Sequence, residues 1–257
     1  MLEGLRGLLL DLDGVLWIDN EAVPGARETL DALRARGLVL RFITNTSLKN
    51  KRQLLAHAAS LGFRIDPAEL ITSAGTAVSY IQEKGYEQGF LMIIDDLRED
   101  LRELRETKRA EHADYILMGD IEDGFSRAML NRGFVGLKNG AELIAFHKNR
   151  YWKTKAGLSI DLGGYVALLE YASGVPATIL GKPSPLFFRM ALLDMGFEPG
   201  AVAMIGDDLE SDIMGGRNAG LRTILVLTGK TQLEQVDASG IRPDSILESV
   251  NQVMSDI

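Results

Sequence analysis

The chain has no cysteine among its 257 residues. This absence excludes disulfide bonds, thiolate catalysis, and zinc or iron–sulfur sites built on cysteine. Histidine is also scarce: only His57, His112 and His147 occur, and their wide spacing matches no zinc-binding pattern. Carboxylates, hydroxyls and amines are left as the main candidates for chemistry.

Basic residues are outnumbered, because 28 Lys and Arg against 36 Asp and Glu give a formal net charge of −8. This balance argues against nucleic-acid binding, since phosphate backbones are held by an excess of lysine and arginine. Long apolar runs are missing too, and none approaches membrane-spanning length. Glu3, Asp11 and Asp13 interrupt what would be the apolar region of a signal peptide. We therefore expect a cytoplasmic protein that binds neither nucleic acid nor membranes.

Short apolar runs alternate with amphipathic helical patterns, which is typical of βαβ units and a parallel sheet. The strands predicted in the outer portions are Leu8–Leu10, Leu38–Ile43, Leu70–Thr72, Thr178–Leu180, Val202–Ile205 and Thr223–Leu227. The middle of the chain has a different sequence pattern and includes an irregular polar and aromatic segment, "HKNRYWKTKAGLSIDLGG". We therefore expect an α/β fold with a discontinuous core domain, residues 1–77 and 179–257, and an inserted domain, residues 78–178.

Polar residues follow the predicted strands at the points where those strands end. Ligands of parallel α/β sheets bind beyond the carboxyl ends of the strands, so these residues are the candidate site. They are Asp11, Asp13, Thr44, Asn45, Lys182 and Asp207, with Asp212 one helical turn after Asp208.

Asp11 and Asp13 lie one residue apart, and two carboxylates so close repel each other. Clustered carboxylates suit a divalent cation, which relieves that repulsion. Alternatively, Asp11 or Asp207 merely caps a helix, and the "TNTS" run after the second strand is an ordinary helix start. Acids after two strands with Lys182 after a third favour the cation.

Four ordered stretches, "DLDGVLW", "ITNTS", "GKPSP" and "MIGDDLESDI", resemble the four motifs of the haloacid dehalogenase-like (HAD) superfamily. The resemblance covers nearly the whole chain. The large insertion between "TNTS" and "GKP", with the tail "NAGLRTILVLTGK", is similar to the NagD-type branch, subfamily IIA. "AVPGA", "RFITNT", "HKNRYW" and "AMIGDD" resemble the phospholysine phosphohistidine inorganic pyrophosphate phosphatase group of that branch.

This resemblance implies a Rossmann-like core with an inserted α/β type IIA (C2) cap domain. It implies a Mg²⁺-dependent phosphatase in which Asp11 is the nucleophile and Asp13 the general acid and base. Thr44 would bind the transferring phosphoryl group, helped by the backbone of Leu12, Asp13 and Asn45, and Lys182 would offset its charge. Mg²⁺ would be held by Asp11, the Asp13 main-chain carbonyl and Asp207, with Asp212 a water-mediated partner.

In this branch the cap contributes a specificity loop, and "HKNRYWKTKAG" aligns with that region. Arg150 and Tyr151, with His147 and Trp152 beside them, are candidate substrate contacts there; the alternative is an ordinary exposed turn. The resemblance also makes a homodimer a fair expectation. Pyrophosphate, phosphoamino acids, sugar phosphates and nucleotides all stay open as the small phosphorylated substrate.

Other functions stay open at this stage. A dehalogenase on the same fold would not need Asp13, and a receiver-like phospho-accepting signalling or binding protein would not need the long insertion. The run "TGKT" at 228–231 hints at a nucleotide phosphate loop, but Ile224 stands where that motif requires glycine. For Asp208 we favour a solvent-facing side chain over a contact with a metal-bound water.

Overall fold

A computed structural model describes residues 4–121, 124–154 and 157–256. The chain divides into two compact units. The first unit comprises Met1–Thr44, Arg52–Ile71 and Lys182–Ile257, and the second unit comprises Asn45–Lys51 and Thr72–Gly181. The chain therefore passes between the units four times, and the short segment 45–51 belongs to the second.

The first unit contains a six-stranded sheet. Its strands are β1 (Gly7–Asp11), β4 (Val39–Thr44), β5 (Leu70–Thr72), β12 (Val202–Gly206), β13 (Arg222–Val226) and β14 (Ser245–Leu247). They lie in the order β14-β13-β12-β1-β4-β5. The pairs from β14 to β4 are parallel. The chain leaves β1 toward β4 on one side and returns to β12 on the other, so strand order reverses beside β1. In open α/β sheets ligands bind at such a reversal.

Both faces of this sheet are covered, as expected for a parallel sheet with continuous apolar strands. Successive residues of a strand point to opposite faces. Leu8 and Leu10 accordingly pack in the cluster that contains Leu30 of α1 (Ala26–Ala35). Leu9 packs on the other face with Phe187 of α6 (Pro185–Met195). The predicted strand at Leu8–Leu10 is confirmed.

The second unit contains a four-stranded parallel sheet in the order β11-β8-β7-β6. Its strands are β6 (Gly89–Met92), β7 (Tyr115–Met118), β8 (Glu142–Ala145) and β11 (Ala177–Ile179). Strand β11 pairs with β8, so our assignment of this strand to the sheet of the outer portions is wrong. A three-residue apolar strand carries no signal for which neighbour it joins, because that choice depends on non-local packing.

The segment expected to be irregular is more ordered than its sequence indicates. It contains an antiparallel hairpin, β9 (Tyr151–Thr154) and β10 (Gly157–Ile160). Asp161 caps the next helix, α5 (Leu162–Ser173), by accepting a hydrogen bond of 2.7 Å from the Leu162 N–H. The two strands are only four residues long and mix polar with apolar residues, so the alternating pattern of a β-strand is hard to recognise in the sequence.

The structure also contains a short hairpin, β2 (Trp17–Ile18) and β3 (Glu21–Ala22), and further α-helices. These helices are α2 (Lys51–Ser60), α3 (Ser73–Lys84), α4 (Arg127–Lys138), α7 (Gly215–Asn218), α8 (Leu233–Ser239) and α9 (Val253–Asp256). Within the part of the chain that the structure describes, no helix combines the length and apolar character needed to cross a membrane.

Phe42 of β4 is fully buried in the cluster that contains Leu8 and Leu10. We expect Phe42→Ala to lower the free energy of unfolding by about 3–5 kcal/mol, because it removes apolar contacts and leaves a cavity. Urea denaturation followed by circular dichroism measures this. Leu193→Ala is the control, since that leucine on α6 is 73% exposed and its loss should cost under about 0.5 kcal/mol. Equal effects of the two substitutions would contradict this description of the core.

Candidate active site

Asp11 is the last residue of β1, and its carboxylate is held from two directions. Its Oδ1 accepts a hydrogen bond of 2.8 Å from the Leu12 N–H. Its Oδ2 lies 2.7 Å from the Nζ atom of Lys182. Burial raises the pKa of Asp11 well above its ordinary value, although Lys182 opposes the shift. The carboxylate is therefore fixed in place by a backbone donor and an ammonium.

Lys182 is only 2% exposed and lies between two carboxylates. Its Nζ is 2.7 Å from Asp11 Oδ2 and 2.7 Å from Asp212 Oδ1. Burial alone lowers the pKa of a lysine, but Asp11 and Asp212 reverse this effect and raise the pKa of Lys182 above its ordinary value. The side chain is therefore a buried ammonium between two carboxylates.

Asp212 is completely buried on a π-helical turn, Leu209–Met214, that follows β12. Its Oδ2 accepts hydrogen bonds from the N–H groups of Asp207, at 3.2 Å, and Asp208, at 3.1 Å. The π-turn is followed directly by the four-residue helix α7 (Gly215–Asn218). π-Turns are often found at functional sites. This one places the Asp212 carboxylate beside the carboxyl end of β12, the strand that precedes it.

Asp207 follows directly after the buried run of β12. Its Oδ2 accepts a hydrogen bond of 2.6 Å from the Lys230 N–H. Burial, and then repulsion from the Asp212 carboxylate, raise the pKa of Asp207 to about 7. One carboxylate oxygen from each of Asp11, Asp207 and Asp212 lies within 4.8 Å of the other two. Three buried acids around one ammonium carry excess negative charge, and their oxygen donors fit a hard divalent cation such as Mg²⁺.

The other residues predicted for the core site are placed as follows. Asp13 is exposed, and its Oδ1 accepts a hydrogen bond of 2.8 Å from the indole Nε1–H of Trp17. Thr44 ends β4 in a buried position, one residue past Ile43, which pairs in register with Asp11. Leu12 is buried beside Asp11. The first unit therefore brings together Asp11, Lys182, Asp207 and Asp212 by direct contact.

Asn45, Arg150 and Tyr151 belong to the second unit. Arg150 precedes strand β9 and is exposed, and Tyr151 is 49% exposed. The side chain of Trp152 lies outside the described part of the structure. As substrate contacts, these residues stay predictions.

His147, a further candidate contact, is instead buried. Its Nε2 lies 3.1 Å from Asp120 Oδ2 and 3.9 Å from Asp161 Oδ1, an arrangement that could also hold a metal ion. The Asn149 N–H lies 3.4 Å from Nδ1 and donates to it, which places the proton on Nε2, directed at Asp120. Hydrogen bonding thus accounts for this cluster.

Two family models match the chain: haloacid dehalogenase-like hydrolase over residues 8–106, and HAD-hydrolase-like over residues 179–253. Haloacid dehalogenase-like hydrolase domain-containing protein 2 of Bos taurus is 39% identical over 247 residues, covering 95% of this chain and 93% of the relative. The chain belongs to the haloacid dehalogenase-like hydrolase family.

Two further similarities place this HAD-like hydrolase within the family. Phospholysine phosphohistidine inorganic pyrophosphate phosphatase of Rattus norvegicus is 34% identical over 260 residues, covering 98% of this chain and 94% of the relative. NagD from E. coli K-12 superposes with a TM-score of 0.87 at 29% identity, covering 96% of this chain and 98% of that structure. The chain is a phosphatase of the NagD-type subfamily IIA, and the predicted α/β, Rossmann-like fold class is confirmed.

The HAD-like hydrolase contains one contact region that our reading of the sequence missed, the turn Thr228–Lys230. We set it aside as a false phosphate loop, yet its backbone contacts Asp207. Asp208 is mostly buried rather than solvent-facing: it pairs with the Lys230 ammonium, and its Oδ1 caps the π-turn by accepting from the Glu210 and Ser211 N–H groups. Although burial opposes it, Lys230 lowers the pKa of Asp208. Aspartate directly before a helical turn is the signal that predicts such a cap.

Without divalent cations, we expect the buried charge of Asp207 to make stability depend on pH. The pKa of Asp207 is about 7 in the folded chain against an ordinary 3.8, so between these values the folded chain binds more protons than the unfolded chain. Stability therefore falls as pH rises through this window. Asp207→Asn keeps the hydrogen-bond acceptor and removes the charge, so its stability advantage over the wild type should widen from pH 4 to pH 7.

Urea denaturation in EDTA at several pH values measures this difference in the free energy of unfolding. Asp237→Asn serves as the control, because the Asp237 side chain is 89% exposed and should leave the pH profile unchanged. A gap between wild type and Asp207→Asn that stays constant with pH would show that Asp207 is ionised throughout.

Proposed function

We propose that this phosphatase is Mg²⁺-dependent, with Asp11 as the nucleophile that forms an aspartyl-phosphate. The observation that carries the proposal is the buried group of Asp11, Asp207 and Asp212 around the Lys182 ammonium. Such a group combines a nucleophile, a cation site and a fixed positive charge, and phosphoryl transfer requires mainly positioning and electrostatic stabilisation.

In this proposal Asp11 attacks phosphorus, the bond from phosphorus to the leaving oxygen breaks, and an acyl phosphate forms. Water then attacks the same phosphorus and releases inorganic phosphate with the Asp11 carboxylate restored. The covalent intermediate divides one difficult displacement into two easier ones. The Leu12 N–H and the Lys182 ammonium already orient the two oxygens of Asp11.

Asp13 is the proposed general acid and base. Its carboxyl group would protonate the leaving oxygen and then accept a proton from the attacking water. Exposure suits this role, because protons must pass to and from the reacting groups. The Trp17 indole N–H, which donates to Asp13 Oδ1, would hold the carboxyl group in place for both steps.

The phosphoryl oxygens would be bound by the Thr44 hydroxyl and by the backbone of Leu12, Asp13 and Asn45, with Lys182 offsetting their charge. Asp11, the Asp13 main-chain carbonyl and Asp207 would hold Mg²⁺, which when bound neutralises phosphoryl charge. Asp212 is completely buried, and its Oδ2 accepts hydrogen bonds from two backbone N–H groups of the Asp207–Asp208 segment, so it lies behind Asp207. This supports a water-mediated part for Asp212 rather than direct ligation.

We further propose that residues 78–178 form a cap domain, with Arg150 and Tyr151 as substrate contacts, that the protein is cytoplasmic, and that it forms a homodimer. The relatives' names favour a panel of pyrophosphate, phospholysine, phosphohistidine and simple phosphate esters as trial substrates. Magnesium-dependent release of phosphate from at least one of these small molecules is the expected result.

We expect Mg²⁺-dependent hydrolysis of p-nitrophenyl phosphate that EDTA stops and that Asp11→Asn lowers by about 10³-fold or more, because the nucleophile is gone. Asp237→Asn is the matched control, an exposed Asp-to-Asn change that should keep full activity.

Borohydride added during turnover should convert Asp11 to homoserine, since it reduces acyl phosphates, and mass spectrometry locates the change. Hydrolysis that persists in EDTA would contradict the proposed dependence on Mg²⁺. Full activity of Asp11→Asn would remove the nucleophile.

Asp13→Asn should lower the rate by about 10²–10⁴-fold with an alkyl phosphate, because the alkoxide leaving group needs a proton. The loss should be smaller with p-nitrophenyl phosphate, whose leaving group is a stable anion. Steady-state kinetics with both substrates measure the two losses. Equal losses would indicate that Asp13 acts through structure and not as the acid.

A further inference from the structure

The turn Thr228–Lys230 and the residue that follows it, Thr231, donate hydrogen bonds to the side chain and to the main chain of Asp207. The Lys230 N–H donates to Asp207 Oδ2 at 2.6 Å, and the Thr231 N–H donates to the Asp207 main-chain oxygen at 3.2 Å. A hydrogen bond to a charged acceptor is stronger than one between neutral groups. The turn therefore restrains both the backbone and the side chain of Asp207.

Two glycines leave the space that the Asp207 carboxylate occupies. A Cβ atom on Gly229 would lie 1.9 Å from Asp207 Oδ2, and one on Gly14 would lie 2.3 Å from the same oxygen. Either contact is far inside van der Waals distance, so the carboxylate would have to move. Gly229 does not have the positive φ of Gly14, so its requirement is one of space rather than of backbone conformation.

The turn is itself anchored on both sides of Gly229. The Thr228 hydroxyl donates to the main-chain oxygen of Gly14, in the loop that follows β1. The Lys230 ammonium pairs with the Asp208 carboxylate, the residue after Asp207. These contacts leave the turn little freedom to retreat if the carboxylate is pushed.

We propose that Thr228–Lys230 is a positioning element that fixes the Asp207 carboxylate for Mg²⁺ binding, with Gly229 and Lys230 as its positioning residues. This inference rests on the proposed function. Mg²⁺ demands near-ideal octahedral geometry at short distances to oxygen, so a small displacement of one carboxylate weakens binding. When a group that hydrogen-bonds to a metal-ligating side chain is altered, metal affinity typically changes about 10–100-fold.

The central test is the affinity of the full chain for Mg²⁺, measured by isothermal titration calorimetry in the absence of substrate. Gly229→Ala adds one methyl group against Asp207 and should raise the Kd by about tenfold or more. Gly200→Ala is the matched control, because a Cβ there meets nothing within 4 Å, and it should bind as the wild type does. In assays, the Gly229→Ala defect should appear as a higher Mg²⁺ requirement that excess Mg²⁺ largely overcomes.

Lys230→Met is a second variant that is expected to fold normally, since the Lys230 side chain is 54% exposed. Removing a cation near the site would tighten Mg²⁺ binding if Lys230 acted only through its charge. A positioning role predicts the opposite sign, weaker binding that Lys230→Arg restores.

Wild-type affinity in Gly229→Ala, or tighter binding in Lys230→Met, would overturn this inference while leaving the proposed function intact. No Mg²⁺ binding by the wild type would overturn both.

Discussion

The structure of the site depends on one buried ammonium among three buried carboxylates. The Lys182 Nζ atom contacts Asp11 and Asp212 at 2.7 Å each, and Asp207 lies close to both acids. One positive charge cannot balance three negative ones, so protons or a cation must supply the remainder. Burial raises the pKa values of all three acids. A raised pKa means that the acid binds a proton more readily, and each bound proton reduces the excess negative charge.

The sheet brings these charges together because β1 and β12 are neighbours in parallel register, with Leu10 opposite Ile205. Both strands end at the same edge, so Asp11 and Asp207 emerge side by side. The backbone then completes the site. Glycines at the contact points let main chain approach the acids: a Cβ on Gly206 would lie 2.3 Å from Asp212, as close as one on Gly14 would lie to Asp207. N–H groups supply donors in the space where side chains would otherwise stand.

Much of the site could be predicted from the sequence, because polar residues that end an apolar run mark the carboxyl edge of a parallel sheet. Asp11 and Asp207 were identified in this way, with Asp212 one helical turn later. Lys182 was identified by the same argument, although the strand before it, β11, joins the sheet of the second unit. What the sequence did not reveal depends on non-local backbone packing: the sheet that β11 joins, and the turn at 228–230 that closes on Asp207. The burial of His147 likewise depends on neighbours that no local pattern specifies. The cap made by Asp208 does have a local signal, an aspartate directly before a helical turn.

The most direct test of this charge imbalance is to measure how many protons are released when Mg²⁺ binds the wild-type chain at pH 7. Calorimetric titrations in two buffers of different ionisation enthalpy give that number. We expect net proton release, because the raised pKa values of the crowded carboxylates favour bound protons, which the cation displaces. Binding without proton release would mean that Lys182 and the backbone N–H groups already keep all three acids ionised, which would contradict this account.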